Sequence, residues 1–428
     1  MLRAFVNAFK VPDLRNKIFF TLFIIAVYRF GSHVPVPVVD IGRLEDALTG
    51  QGAGGFLSFI DLFSGGALTR MAVFGLGIMP YITSSIIMQL LTVVIPKLEQ
   101  WQKQGEQGIK KINQWTRYVT VVLALLQSTG LVFLFHSGSD QLGGVDIFPP
   151  GEFTPANIAL IVLVMTAGTA MIMWMGELIT QRGIGNGMSV LIFTSVISRL
   201  PQEGRAILVQ SDVKFAVVLV MGLALIVAVI FLEQGQRRIP VQYAKRVVGR
   251  RMTTGGSTYI PLKVNQAGVI PIIFASSVLY FPTLLASVFH ADWFQNFVDN
   301  YVTNQRSFVY MAIYGALVVF FAYFYTAIAF NPVDTADNLR KYGGFVPGIR
   351  PGPPTADYLN FVLTRITLPG SLYLAAIALL PSIVFAFWVI ATFPFGGTSL
   401  LITVGVALET MKQLESQLLM RHYEGFLK

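Results

Sequence analysis

Residues able to make or break bonds are few in this sequence, and they stand far apart. Its four histidines, His33, His136, His290 and His422, are scattered, and none has a neighbour at metal-ligand spacing. The chain has no cysteine, which removes thiolate nucleophiles, disulfides and cysteine metal sites. No phosphate-binding loop, HExxH pair or GxSxG turn occurs in it. A membrane-embedded protease needs paired acids, or a serine with a base, inside apolar segments, and an ion-coupled transporter needs buried ionisable groups along its path. Here Glu177 and Glu409 stand near the ends of apolar runs, and Arg29 near the outer end of the first. The expectation is a protein with no catalytic residue, no metal and no cofactor.

Polar character concentrates in two basic stretches. Residues 235–263 carry Arg237, Arg238, Lys245, Arg246, Arg250, Arg251 and Lys263, and the alternation in VQYAKRVVGR predicts part of a hairpin. Residues 331–367 carry Arg340, Lys341, Arg350 and Arg365 around a rigid turn-rich run, Val346-Pro-Gly-Ile-Arg-Pro-Gly-Pro-Pro354. Such charge can simply hold a loop beside anionic lipid. It can also offer a cationic surface to ribosomal RNA or an acidic protein face. A Pro/Gly frame with a single arginine at its tip favours docking. Among apolar residues, Ile78 and Ile82 share one helical face, as do Met188 and Ile192. That spacing alone assigns them no role.

The elements that must carry these residues are membrane spans. Of 428 residues 54% are hydrophobic, mean hydropathy is +0.64, and only 12% are charged, against roughly 25% in soluble domains. Apolar runs fall near 18–38, 71–95, 118–135, 156–178, 186–200, 214–232, 266–289, 308–330, 368–390 and 397–411. The runs at 186–200 and 397–411 are short for a bilayer that needs roughly 20 helical residues. The first run lacks a small-residue cleavage site and reads as a span. With ten spans both termini lie on one side, and that side holds 24 of the 31 Lys and Arg. The exceptions are Arg29, Arg43, Arg70, Arg199, Arg205, Lys214 and Arg306. The positive-inside rule therefore puts both termini in the cytoplasm.

One segment fits neither a span nor a solvent loop. Residues 52–70 place a short apolar run between paired glycines. It reads either as a half-helix folded back into protein or as an amphipathic helix on the outer surface. Five spans on each side of the midpoint also permit an inverted repeat. The halves would be 1–200, containing the 56–70 segment, and 201–428, containing both basic loops.

Five longer segments carry a resemblance: GLGIMPYITSSIIMQLL (75–91), QRGIGNGMSVLIF (181–193), PLKVNQAGVIPIIFASS (261–277), FNPVDTADNLRKYGGFVPGIRPG (330–352) and FGGTSLLITVGVA (395–407). With the span pattern they make the chain similar to the bacterial type of the SecY/Sec61 channel family over essentially its whole length. The resemblance implies an all-α protein of ten transmembrane helices in two pseudo-symmetric halves around a central pore. Unfolded or nascent polypeptide, led by a signal peptide, would cross through that pore or leave sideways into the membrane lipids.

Carried over residue by residue, the resemblance implies a pore ring of Ile78, Ile82, Met188, Ile192, Ile273 and Ile402. Phe56, Leu57, Phe59, Ile60, Leu62, Phe63 and Arg70 would belong to a plug. Thr83, Gln89 and Asn265 would be polar members of a lateral gate between spans 2–3 and 7–8. Arg350 matches a functionally sensitive arginine at a loop tip. It and the other basic-loop residues would receive the ribosome or the motor ATPase SecA, and the small membrane subunits SecE and SecG would complete the complex. The expected location is the bacterial cytoplasmic membrane. A solute transporter with an inverted repeat and a non-conducting ribosome scaffold are the competing classes; the missing midplane charge disfavours the first.

Overall fold

The computed structural model describes residues 9, 11–40, 61, 63–136, 148–149, 151–210, 212–243, 247–248, 251–252, 257–288, 292–303, 307–387 and 397–426. Helix dominates. The first group is α1 (Pro12–Gly31), α2 (Met79–Val94), α3 (Pro96–Lys103), α4 (Glu106–His136), α5 (Pro155–Arg182) and α6 (Gly187–Gln210). Then come α7 (Asp212–Gln234), α8 (Ile270–Val288), α9 (Asp292–Phe297), α10 (Phe308–Ala329), α11 (Pro332–Lys341), α12 (Pro353–Phe387) and α13 (Gly397–Phe426).

Among the described residues, five helical stretches are long and apolar enough to cross a membrane: Glu106–His136, Pro155–Arg182, Phe215–Gln234, Phe308–Lys341 and Pro353–Leu380. A sixth results if α2 and α3, bent by 100° against each other, form one broken span. The bend has a local cause. Ile95 precedes Pro96, and the proline ring drives it out of the helical region to φ −98°, ψ 112°. Helix α1 is 20 residues long but carries Asp13, Arg15, Lys17 and Arg29, so its apolar stretch is shorter. Gly187–Pro201 and Ile270–Leu279 are shorter apolar helices. The apolar run expected from 71 to 95 is helical only from Met79; residues 71–78 are turns.

Helix starts follow from capping chemistry. Pro155 opens α5 after Thr154, whose hydroxyl accepts from Asn157 N. Asn331 caps α11 by accepting from the amides of Val333 and Asp334, again with proline in the first turn.

The two basic loops depart from an all-α chain. There, β1 (Gln236–Tyr243) pairs antiparallel with β4 (Ser257–Lys263), in register Gln236↔Lys263 to Gln242↔Ser257. Strand β5 (Gly344–Phe345), from the other basic loop, pairs with the end of β1 through Gln242↔Phe345 and Tyr243↔Gly344. Short strands β2 (Val247–Val248) and β3 (Arg251–Met252) pair with each other. Ile239, Val241, Leu262, Val346, Leu359, Val362 and Leu363 form one apolar core beneath the larger sheet. The two basic loops are thus a single folded module on the end of α12.

Among the described residues, three large apolar clusters hold the helices, and a smaller one joins α1 to α13 through Leu14, Ile18 and Leu414. Of the large three, one joins α4, α5 and residues 68–76 through Leu68, Met71, Leu131, Phe135, Ile161 and Met165. A second joins α7, α8, α10, α12 and α13 through Val229, Ile272, Tyr314, Leu374 and Leu401. The third is central and takes residues from both groups.

Candidate functional site

In the central cluster, residues far apart in sequence meet. Ile78, at the N-cap of α2, is 1% exposed, and Ile402 of α13 is 2% exposed. Ile192 of α6 and Ile273 of α8 are buried in the same cluster, and half-buried Ile82 packs against it. Ile82 N donates to Ile78 O at 3.1 Å, so these two residues stand one turn apart on one face. Met188 is also buried, one turn before Ile192, and its side chain lies against Gly176 of α5. Branched apolar groups arriving from separate helices can close a narrow passage without sequence-specific hydrogen bonds, and such a constriction resists wetting.

The described part of the 56–70 segment packs into this cluster through Phe63 and Ala67. Residues 61, 63 and 64 are helical, and Leu68–Arg70 is one 3-10 turn. Phe63 is fully buried in the central cluster, and Arg70 is half-buried. Phe56, Leu57, Phe59, Ile60 and Leu62 lie outside the described residues. Gly77 makes the close approach possible. It holds φ +57°, and a Cβ there would stand 2.8 Å from Phe63 O.

Sequence reasoning missed the polar network around this segment. Asp61, 2% exposed by side chain, pairs with Arg199 of α6 at 3.2 Å. Its Oδ1 also accepts from Thr69 N and Ser64 Oγ, both at 3.2 Å. Arg29 of α1 donates through Nη1 to Gly65 O and to Ser198 Oγ, both at 2.9 Å. The hydroxyl of Tyr28 shares a 2.6 Å hydrogen bond with Ser195 Oγ and stands 3.4 Å from Ser64 O. Tyr28 stacks on Phe74 at 5.9 Å. The signal was present in the charge pattern, since Arg29 and Arg199 are among the few cations off the basic side.

The three polar residues expected beside α2 and α8 do not meet. Thr83 donates to Met79 O within its own helix, and Gln89 is exposed. Asn265 is 5% exposed, and its Nδ2 donates to Glu233 Oε1 of α7 at 2.7 Å and to Gly268 O, just before α8, at 3.1 Å. What α2 shares with α8 and α10 is apolar: Ile86 and Leu90 with Phe274, Phe321 and Tyr325 in the central cluster. Phe274 and Phe321 stack at 5.2 Å. Ser84 Oγ donates to Thr116 O at 2.7 Å and ties α2 to α4.

On the module formed by the two basic loops, Arg237, Arg238, Arg340, Lys341 and Arg350 are exposed. The Arg238 guanidinium lies 4.8 Å above the Tyr259 ring. Around Arg350, Ile349 N donates to Val346 O, and Thr355 Oγ1 donates to the Arg350 carbonyl at 2.8 Å. These bonds fix the backbone and leave the guanidinium outside. Lys245, Arg246 and Arg250 lie outside the described residues, and Arg251 is in β3.

The SecY family model matches residues 72–411. The protein translocase subunit SecY of Mycobacterium bovis is 52% identical over 443 residues, with 100% of both chains covered. That of Streptomyces galbus is 53% identical over 441 residues, again with 100% of both chains covered. In fold, the chain is similar to a solved protein conducting channel, with TM-score 0.64 at 15% identity over 94% of this chain and 92% of that one. It is also similar to a SecY in which the plug domain stabilises the closed state and maintains a membrane seal, with TM-score 0.63, 15% identity and the same 94% and 92% coverage. The chain belongs to the SecY family, and it is a multi-pass membrane protein that serves as a protein-conducting channel subunit rather than an enzyme.

Proposed function

We propose that Ile78, Ile82, Met188, Ile192, Ile273 and Ile402 form the constriction through which unfolded polypeptide crosses the bacterial cytoplasmic membrane. The observation that supports this most is the convergence of five of these residues, from α2, α6, α8 and α13, in one buried apolar cluster. Residues 56–70 act as the plug beneath the constriction. Helices α2 and α4 on one side, and α8 and α10 on the other, are the lateral gate, with Thr83, Gln89 and Asn265 as its polar members. A segment of roughly 20 apolar residues gains by moving through that gate into lipid, and a polar one does not.

The chain crosses the membrane ten times in two inverted halves, 1–200 and 201–428, with both termini in the cytoplasm. Helices α1, α6, α8 and α13 supply the spans beyond those that length and composition identify. The exposed cations Arg237, Arg238, Arg340, Lys341 and Arg350, together with Lys245, Arg246, Arg250 and Arg251, dock SecA or the ribosome, which supply the driving force. SecE and SecG complete the complex.

A secretory chain stalled in transit and carrying a photoreactive residue tests the constriction. It is expected to crosslink to positions 82, 192 and 273. Crosslinks confined to outward-facing positions such as Phe231, which is 84% exposed, would overturn the assignment.

A further inference from the structure

The polar contacts of segment 61–70 converge on two helices. Arg29 of α1 holds the Gly65 carbonyl, and Arg199 of α6 holds the Asp61 carboxylate. Ser195 and Ser198, on the same part of α6, complete the contact through Tyr28 and Arg29. Asp61 sits beside Phe63, a member of the central apolar cluster. A carboxylate buried there is tolerated only while paired and hydrogen-bonded.

Resting on the plug reading above, we propose that Asp61, Arg199 and Arg29 form an ionic latch that sets how readily the plug leaves its seat. Arg199 and Arg29 are positioning residues for the plug. The physical reason lies in the two end states. Seated, Asp61 is paired with Arg199 and shares the amide of Thr69. Unseated, both charges return to water and recover their hydration, which offsets much of the lost pairing. An apolar anchor would regain nothing on leaving. A latch made of charges therefore keeps seated and unseated states close in free energy, as a seal that must open for every exported chain requires.

The latch takes Arg29 from α1 and Arg199 from α6, whereas Ile273 and Ile402 of the central cluster come from α8 and α13.

The test is the ion leak of idle channels, using the full chain purified with its membrane subunits and reconstituted in vesicles. Asp61→Asn and Arg199→Gln are each expected to raise leak about tenfold, equivalent to ~1.4 kcal/mol in the seating equilibrium. Combining Asp61→Leu with Arg199→Met removes both charges, and its leak is expected to fall below that of either single variant. Ser198→Ala, which takes one acceptor from Arg29, is a milder variant expected to raise leak less. Wild-type leak in assembled Arg199→Gln or Ser198→Ala channels, while deletion of 57–67 leaks, would overturn the latch and leave the plug standing. A double variant that leaks as much as the singles would overturn it too. If the deletion itself does not leak, the plug reading fails and the latch falls with it.

Discussion

Single residues in this chain gain meaning from what they cannot do as much as from what they touch. Arg350 is held on a turn whose backbone is fixed by Thr355 and Val346, and its side chain is exposed with no ion pair among the described residues. Arg350→Glu is therefore expected to leave the amount of assembled protein and its idle conductance unchanged. Motor-driven translocation into vesicles should fall about tenfold or more, as for an arginine at the centre of a docking surface. A parallel loss of assembled protein would assign Arg350 to folding instead. Spacing alone could not separate Ile78 and Ile82 from any lipid-facing pair; the family resemblance raised the idea, and the fold puts buried Ile78 and half-buried Ile82 with Ile192, Ile273 and Ile402 in one cluster. Asn265 has a partner that spacing did not reveal: its Nδ2 donates to the Glu233 carboxylate, a charge-assisted bond.

At the scale of elements, the contact between residues 71–78 and α5 decides where Ile78 of the proposed constriction sits. These residues form turns instead of a helix, and the backbone of Val73 lies directly on Gly168 of α5. A Cβ at Gly168 would fall onto the carbonyl oxygen of Val73, and backbone cannot rotate away as a side-chain tip can. Gly168→Leu should lower stability by about 1–3 kcal/mol through overpacking. It should appear as a lower thermal midpoint of the purified complex, with unfolding that begins near α5. An unchanged midpoint would mean that the turn segment shifts freely, and that it does not set the position of Ile78. Hydropathy gave 71–95 as one continuous span, since Met71 to Ile78 is apolar. It could not register that Gly75 and Gly77 let the chain turn there. The bend at Ile95–Pro96 was readable in principle from the proline rule, and its 100° angle was not.

For the whole molecule, orientation is the property most open to direct measurement, because the chain contains no cysteine. A single cysteine at Asp337 should react with a membrane-impermeant maleimide only from the cytoplasmic side. One at Asn300 should react only from outside. Labelling of both from one side would break the ten-span topology. Composition and charge order alone determined that this chain lives in lipid and which of its loops are basic, since burial in a bilayer and the cost of moving Lys and Arg across it act on segments independently of their neighbours. Motifs at 75–91, 181–193 and 330–352 carried the family in the same local way. Only the tertiary structure decided that the two basic loops join through β1 and β5 into one module, and that Asp61 meets Arg199. Both depend on contacts between residues more than 100 positions apart, and no local propensity encodes a pairing whose partners are chosen by how the helices between them pack.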